Sequence, residues 1–321
     1  MLSSSTASKL DSLVGLATAK HLVRRLAQDD HGVHALLLYG SIGTGKDVLA
    51  NLLTELWVCT NISDEGADGT CRACAALGRG NSPDVLHIVP AGRSAIIPVL
   101  AITNDKIRDE DPPVPLLNFF RTPPMFARHK VAIIHDAHRM NHRAANALLK
   151  TLEEPHPHAK IILTTDSVGS LLPTIISRCL AAACEAPSEE ELRQAFPNAT
   201  PDQIRLSEGT PGRIRNIEER QAAYDRLLAF ARSLPNRKKG EALVATEEFL
   251  SISEQFKANA DTTARAAQAA ALDSLATFFA REPGIPPHWT HLIIESHRRI
   301  LGNGQAGIVY DALFTAMLGS R

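Results

Sequence analysis

Tyr39-Gly40-Ser41-Ile42-Gly43-Thr44-Gly45-Lys46-Asp47 decides how the rest of the chain reads. From Gly40 it follows the phosphate-binding-loop pattern of a glycine, four residues, Gly-Lys, then Ser or Thr, except at its last position. The glycines let backbone N–H groups turn toward phosphate oxygens, and a helix opening at the loop's end adds the positive pole of its dipole. Lys46 is placed to reach the β/γ-phosphates. Upstream, His34–Tyr39 (HALLLY) is a short continuous apolar run, which suits a strand buried on both faces. Downstream, residues 48–58 (VLANLLTELWV) have helical spacing. Asp47 is the departure. A hydroxyl here normally ligates Mg²⁺, whereas a carboxylate sets a negative charge beside the triphosphate. Two unit charges 4 Å apart repel by roughly 1 kcal/mol in water and about 4 kcal/mol at an effective dielectric near 20. ATP binding is therefore expected to be weak or absent.

Outward from the loop, Val85–Val89, Val131–Ile134 and Ile161–Thr164 are further apolar runs, with helical patterns between them. Residues 17–28 place Leu22, Val23 and Leu26 on one helical stripe. Strand alternating with helix predicts an α/β domain: a parallel sheet with helices on both faces. The pattern changes after about residue 186. Ser188 precedes Glu189 and Glu190 as an N-cap followed by acids, and no convincing buried strand follows. Breaks fall at Leu234-Pro235-Asn236 and Pro283–Pro287, and residues 262–281 and 290–301 carry helical apolar stripes. The expected organisation is an α/β domain over 1–186, a small helical unit over 187–220 and an all-helical domain over 221–321.

The 321 residues, 44% hydrophobic and 21% charged, are ordinary for a globular chain. No run of ~18 apolar residues predicts a membrane span. The formal net charge of −1 argues against coating nucleic acid by bulk charge, though a local basic face is compatible with it. MLSSSTASKL lacks the apolar core of a signal peptide, so a cytoplasmic, reducing location is expected. The sequons at Asn61 and Asn198 are then chance matches. Of five cysteines, Cys59, Cys71 and Cys74 lie close together, and Cys179 and Cys184 read as buried small residues. The Cys71-x-x-Cys74 spacing lets two thiolates bind one Zn²⁺, which makes clustered cysteines in a reducing compartment metal ligands before disulfides. The alternative is a degenerate site with free thiols. A redox pair lacks a surrounding thioredoxin-like unit.

A second acidic group should stand at the end of another central strand. Val131-Ala132-Ile133-Ile134-His135-Asp136-Ala137-His138 supplies Asp136, which could hold Mg²⁺ through water or be only a polar strand end. Hydrolysis also needs a base after the aspartate to orient water. That position is Ala137, and alanine polarises nothing. Both departures point to a nucleotide-hydrolase fold that does not hydrolyse.

His34–Leu38 before the loop, Ala144-Ala145-Asn146-Ala147-Leu148-Leu149-Lys150-Thr151-Leu152-Glu153-Glu154-Pro155, and Ile176-Ser177-Arg178-Cys179 together resemble the bacterial clamp-loader AAA+ family. The degenerate loop and strand end resemble its delta-prime type in DNA polymerase III, and motif order matches most closely over residues 1–180. The resemblance implies a P-loop AAA+ domain, a helical lid and a C-terminal helical collar. It implies a non-hydrolysing subunit that helps load the sliding clamp onto primer-template DNA, beside motor (gamma/tau-like) and delta subunits. It further implies that Arg178 is an arginine finger acting in trans on a neighbour's nucleotide. A permanently charged guanidinium, which forks onto phosphate oxygens, suits that role. Arg213, in Gly209-Thr210-Pro211-Gly212-Arg213, resembles the lid arginine, and Thr164-Thr165 the sensor region. Asn146 and Lys150 become candidates for a DNA-facing surface, against a plainly solvated helix face. The family carries four cysteines in the inserted module (about 59–74), and the missing one falls here on Asp68. That makes Asp68 the implied fourth zinc ligand, with His87 an outside candidate. An active clamp-loader ATPase is the alternative. No polymerase site is legible.

Overall fold

The computed structural model describes residues 6–28, 32–63, 66–91, 95–103, 114–257, 263–302 and 304–319. The chain divides into two compact units, Met1–Ala195 and Phe196–Arg321. In chain order, the first holds α1 (Thr6–Asp11), α2 (Ala17–Gln28), β1 (Ala35–Tyr39), α3 (Lys46–Val58), β2 (Ile62–Ser63), β3 (Gly66–Ala67), α4 (Arg72–Gly78) and β4 (Val85–Ile88). It continues through α5 (Leu116–Arg121), β5 (Lys130–Ile134), α6 (His142–Glu153), β6 (Ala159–Thr165), α7 (Pro173–Ile176), β7 (Leu180–Ala183) and α8 (Glu189–Ala195).

The main sheet has five strands in the order β4-β5-β6-β1-β7, and every pairing in it is parallel. Because successive side chains of a strand point to opposite faces, β1 divides its residues between two cores. Ala35 and Leu37 join Ala132, Ile134, Ile161 and Leu163 against α5 and α6. Leu36 and Leu38 join Val131, Ile133 and Ile162 against α2 and α3. Both faces are covered, which is why the strands read as unbroken apolar runs. β7 was not foreseen. Leu-Ala-Ala-Ala has little strand propensity, and the segment is a strand because it pairs along the edge of β1, Leu36 with Leu180 through Tyr39 with Ala183. The β2–β3 hairpin was likewise unforeseen. Ser188 caps α8 as expected: its hydroxyl accepts the Glu191 N–H at 3.2 Å, and the Glu191 carboxylate accepts the Ser188 N–H at 2.8 Å.

The second unit holds α9 (Pro201–Leu206), α10 (Pro211–Glu219), α11 (Gln221–Ser233), α12 (Ala242–Glu254), α13 (Ala264–Ala280), α14 (Pro287–Leu301) and α15 (Ala306–Gly319). Its described residues contain no strand, as the pattern beyond 186 predicts. The helix expected over 262–281 is α13, with residue 262 outside the described residues. Phe249 packs edge-on against Tyr310 and Phe314, with ring centroids 4.9 and 5.5 Å away. Leu206 and Ile217 belong to the same apolar core as Leu272, Trp289 and Phe314. Among the described residues no helix is long and apolar enough to cross a membrane.

Candidate functional site

The phosphate loop leaves the C-terminal end of β1. A Cβ on Gly40 would lie 2.2 Å from the Cys184 carbonyl oxygen, so only glycine fits where the chain passes the edge strand. Gly43 and Gly45 take φ of 85° and 98°, the left-handed region that glycine enters at no steric cost. α3 opens directly on Lys46. That side chain is 6% exposed and turned onto its own loop, donating to the Gly40 and Ser41 carbonyls at 2.7 and 2.8 Å.

Asp47 faces the ends of β5 and β6. Its Oδ1 lies 2.8 Å from His135 Nδ1 and accepts the Thr164 hydroxyl at 3.3 Å. The His135 hydrogen bond, helped by Thr164 and the Lys46 charge, holds the Asp47 carboxyl below its ordinary value against the opposing effect of burial. His135 is the first residue after β5, and its N–H donates to the Ile88 carbonyl at 2.9 Å, extending the ladder between β4 and β5. Its other ring nitrogen lies 3.1 Å from His87 Nδ1, and the two rings stack. Burial, and then the charge of His135, push His87 down.

Asp136 stands one residue further on. Its φ is 47°, its carboxylate lies 3.9 Å from Arg139 Nε, and its N–H donates to the Thr164 hydroxyl at 3.3 Å. Ala137 is buried. The strand-end side chain that meets Asp47 is therefore His135, which motif reading passed over. The signal was available: the apolar run of β5 stops at Ile134, so the next residue occupies the end of the strand. Thr165 and Asp166 both lie near His138 Nδ1, at 3.1 and 3.2 Å.

Arg178 follows α7. One guanidinium nitrogen pairs with Glu153 at 2.8 Å, and another donates to the Thr174 carbonyl at 3.0 Å and the Ser177 hydroxyl at 3.3 Å. Glu153, which motif reading quoted only as part of a string, thus orients the guanidinium from the end of α6. Asn146 and Lys150 are exposed on α6, with Asn146 Nδ2 2.9 Å from His142 Nδ1. Arg213 belongs to the second unit, where Glu208 and Asp273 pair with it.

The inserted module gathers Cys59 from the end of α3, Asp68 after the β2–β3 hairpin, and Cys71 and Cys74 at the start of α4. One ligand atom from each lies within 4.8 Å of all the others. His87 stands apart from this group, against His135. Backbone N–H groups already point at the ligands. Asn61 and Asp68 donate to Cys59 Sγ at 3.4 Å, and Cys74 donates to Cys71 Sγ at 3.4 Å. Asp68 Oδ1 accepts from Thr70 and Cys71 at 3.0 Å, which holds its carboxyl far below the ordinary range. Burial raises the Cys59 and Cys74 thiols. Burial also acts to raise Cys71, but hydrogen bonds from Thr60 and Cys74 bring it down to about 7. Three thiols and a carboxylate at this separation fit a tetrahedral zinc ion, which binds thiolate at about 2.3 Å and carboxylate at about 2.0–2.2 Å.

A family model described as DNA polymerase III, delta subunit, matches residues 16–187. DNA polymerase III subunit delta' of Pseudomonas aeruginosa is 37% identical over 186 residues, covering 56% of this chain and 53% of that protein. DNA polymerase III subunit tau/gamma of Haemophilus influenzae is 30% identical over 209 residues, covering 61% of this chain and 28% of that protein. The chain thus spans about half or less of the length of these curated relatives. A DNA polymerase III gamma subunit-related protein from Thermotoga maritima superimposes with a TM-score of 0.51 at 20% identity, over 94% of this chain and 99% of that one, a likeness of fold.

Proposed function

Because this chain belongs to the DNA polymerase III delta subunit family of clamp-loader proteins, we propose that it is a non-hydrolysing, delta-prime-like subunit of the replicative clamp loader. The observation that carries this reading is the carboxylate at position 47. The hydroxyl that normally meets Mg²⁺ is replaced by Asp47, and no acid among the described contacts of Asp47 stands opposite it. Asp136, which follows the strand-end His135, has its carboxylate turned toward Arg139, 3.9 Å from Nε, rather than toward Asp47. The likeness to tau/gamma over 209 residues favours the second reading, an active ATPase subunit, and position 47 weighs against it.

On this reading the chain works in the cytoplasm beside gamma/tau-like motor and delta subunits, and meets the sliding clamp and primer-template DNA through the complex. Residues 1–186, 187–220 and 221–321 serve as AAA+ domain, lid and collar, and Asn146 and Lys150 lie toward the DNA. Arg178 serves a neighbour's nucleotide in trans. Its cation persists while its own chain's loop has lost the hydroxyl that hydrolysis needs, which is the pattern expected of a subunit that assists turnover without performing it. A zinc ion held by Cys59, Asp68, Cys71 and Cys74 would supply a structural cross-link between the end of α3 and the start of α4. Phosphate release by the isolated full-length chain tests the reading. No turnover above background is expected, with or without primed DNA. Turnover at ordinary enzyme rates that is lost in Lys46→Ala would overturn it in favour of the active subunit.

A further inference from the structure

The Mg²⁺ that a phosphate loop implies does not fit this one. Mg²⁺ demands nearly octahedral oxygen ligands and keeps several of its waters. At the position where it would be met, Asp47 Oδ1 is engaged by both His135 and Thr164. The strand-end group beside it is an imidazole, a ligand suited to softer metals. Lys46 is likewise committed to the Gly40 and Ser41 carbonyls.

We infer that the hydrogen-bonded Asp47–His135 pair occupies the divalent cation's place, and that it closes this loop to metal–nucleotide complexes. The imidazole is set between Asp47 from α3 and His87 from β4, and Thr164 from β6 donates to the same Asp47 oxygen. Asp47 Oδ1 lies 2.8 Å from His135 Nδ1 and His87 Nδ1 lies 3.1 Å from His135 Nε2, so both ring nitrogens of His135 are engaged. A divalent cation brought to this spot would have to displace the imidazole from its carboxylate, and Lys46 would have to leave the Gly40 and Ser41 carbonyls to meet a nucleotide. The backbone anchor of His135 on Ile88 and the stacked His87 ring hold the imidazole where it is. Positions 47 and 135 together, rather than the loop glycines, decide what the loop accepts.

The inference stands on loop geometry and goes beyond loss of hydrolysis. A chain that bound Mg²⁺–ATP without turning it over would overturn it and leave the proposed function in place. The test is titration of the full-length chain with a fluorescent ATP analogue, in millimolar MgCl₂ and in EDTA. The parent is expected to show no saturable binding in either buffer at micromolar analogue. The double variant Asp47→Thr/His135→Asp restores a hydroxyl and a strand-end carboxylate, and should bind at least about tenfold tighter with Mg²⁺ than with EDTA, about 1.4 kcal/mol. Asp47→Thr alone leaves the imidazole at the strand end and should gain no Mg²⁺ dependence. Mg²⁺-dependent binding by the parent overturns the inference, as does a double variant that melts like the parent yet gains nothing. If the double variant fails to fold, the parent's His135 ring resonances decide. They stay in place on addition of MgCl₂ if the imidazole holds the position, and their movement overturns the inference.

Discussion

Arg178→Ala separates a structural arginine from one that works on another subunit. In this chain its guanidinium touches Glu153, the Thr174 carbonyl and the Ser177 hydroxyl, and the ion-paired side chains are 35% and 49% exposed. An exposed pair of this kind contributes about 0–1 kcal/mol. For a unit of this size about 1 kcal/mol corresponds to roughly 2–4 °C in melting temperature, so the variant should melt within about 4 °C of the parent and assemble normally. Its effect on turnover should be far larger. An arginine finger contributes up to ~10³–10⁵ in the best-characterised single sites, and a loader with several interfaces should lose a smaller factor overall. The assay is DNA-stimulated ATPase and clamp loading by a complex reconstituted with motor and delta subunits, the proposed partners. Arg178→Lys should restore activity only in part, because an ammonium cannot fork onto two phosphate oxygens. Glu153→Gln, which keeps a hydrogen-bond partner, should retain most of it. An Arg178→Ala complex that assembles and loads clamps at the parent rate refutes the trans role.

Protein purified without chelator should carry about one zinc per chain by metal analysis, since four ligand atoms lie within 4.8 Å of one another. Cys71→Ser should lose it and lower the melting temperature, and Asp68→Ala should weaken retention; a metal-free parent ends the idea. Asp84 is fully buried, and its carboxylate accepts the Met125, Phe126 and Ala127 N–H groups at 2.7, 2.7 and 2.9 Å. Asp84→Ala leaves three part-buried N–H donors without their carboxylate, at up to about 1–3 kcal/mol each before water and loop relaxation make up part of it. Thermal melting should therefore fall by roughly 10 °C, and a shift under about 2 °C would show that water replaces the carboxylate.

Much of this architecture was legible because it rests on local chemistry. Glycines at Gly40, Gly43 and Gly45 before a lysine, an apolar run ahead and a helical stripe behind define a strand, a turn and a helix within about twenty residues. The Cys71-x-x-Cys74 turn carries its meaning in its spacing. Elsewhere the local signal was absent or misleading. Leu180–Ala183 has no strand preference and becomes β7 only because β1 offers it an edge. Asp136 attracted the strand-end role because it is acidic, while the ladder from His135 to Ile88 puts the imidazole there instead.

The sequence by itself determined the strand–loop–helix order, the two-faced burial of the sheet, the shift to helices beyond residue 186 and the cysteine pair, since periodicity and short spacings are properties of neighbouring residues. The tertiary structure decided which distant groups meet. Asp47 and His135, 88 positions apart, share a hydrogen bond because α3 begins where β5 ends, at the C-terminal end of the parallel strands. Glu153 reaches Arg178 because α6 and α7 lie together, and Asp68 joins three cysteines because a two-residue hairpin folds it back. Sheet register and loop closure set those distances, and neither is written in any single stretch of the chain.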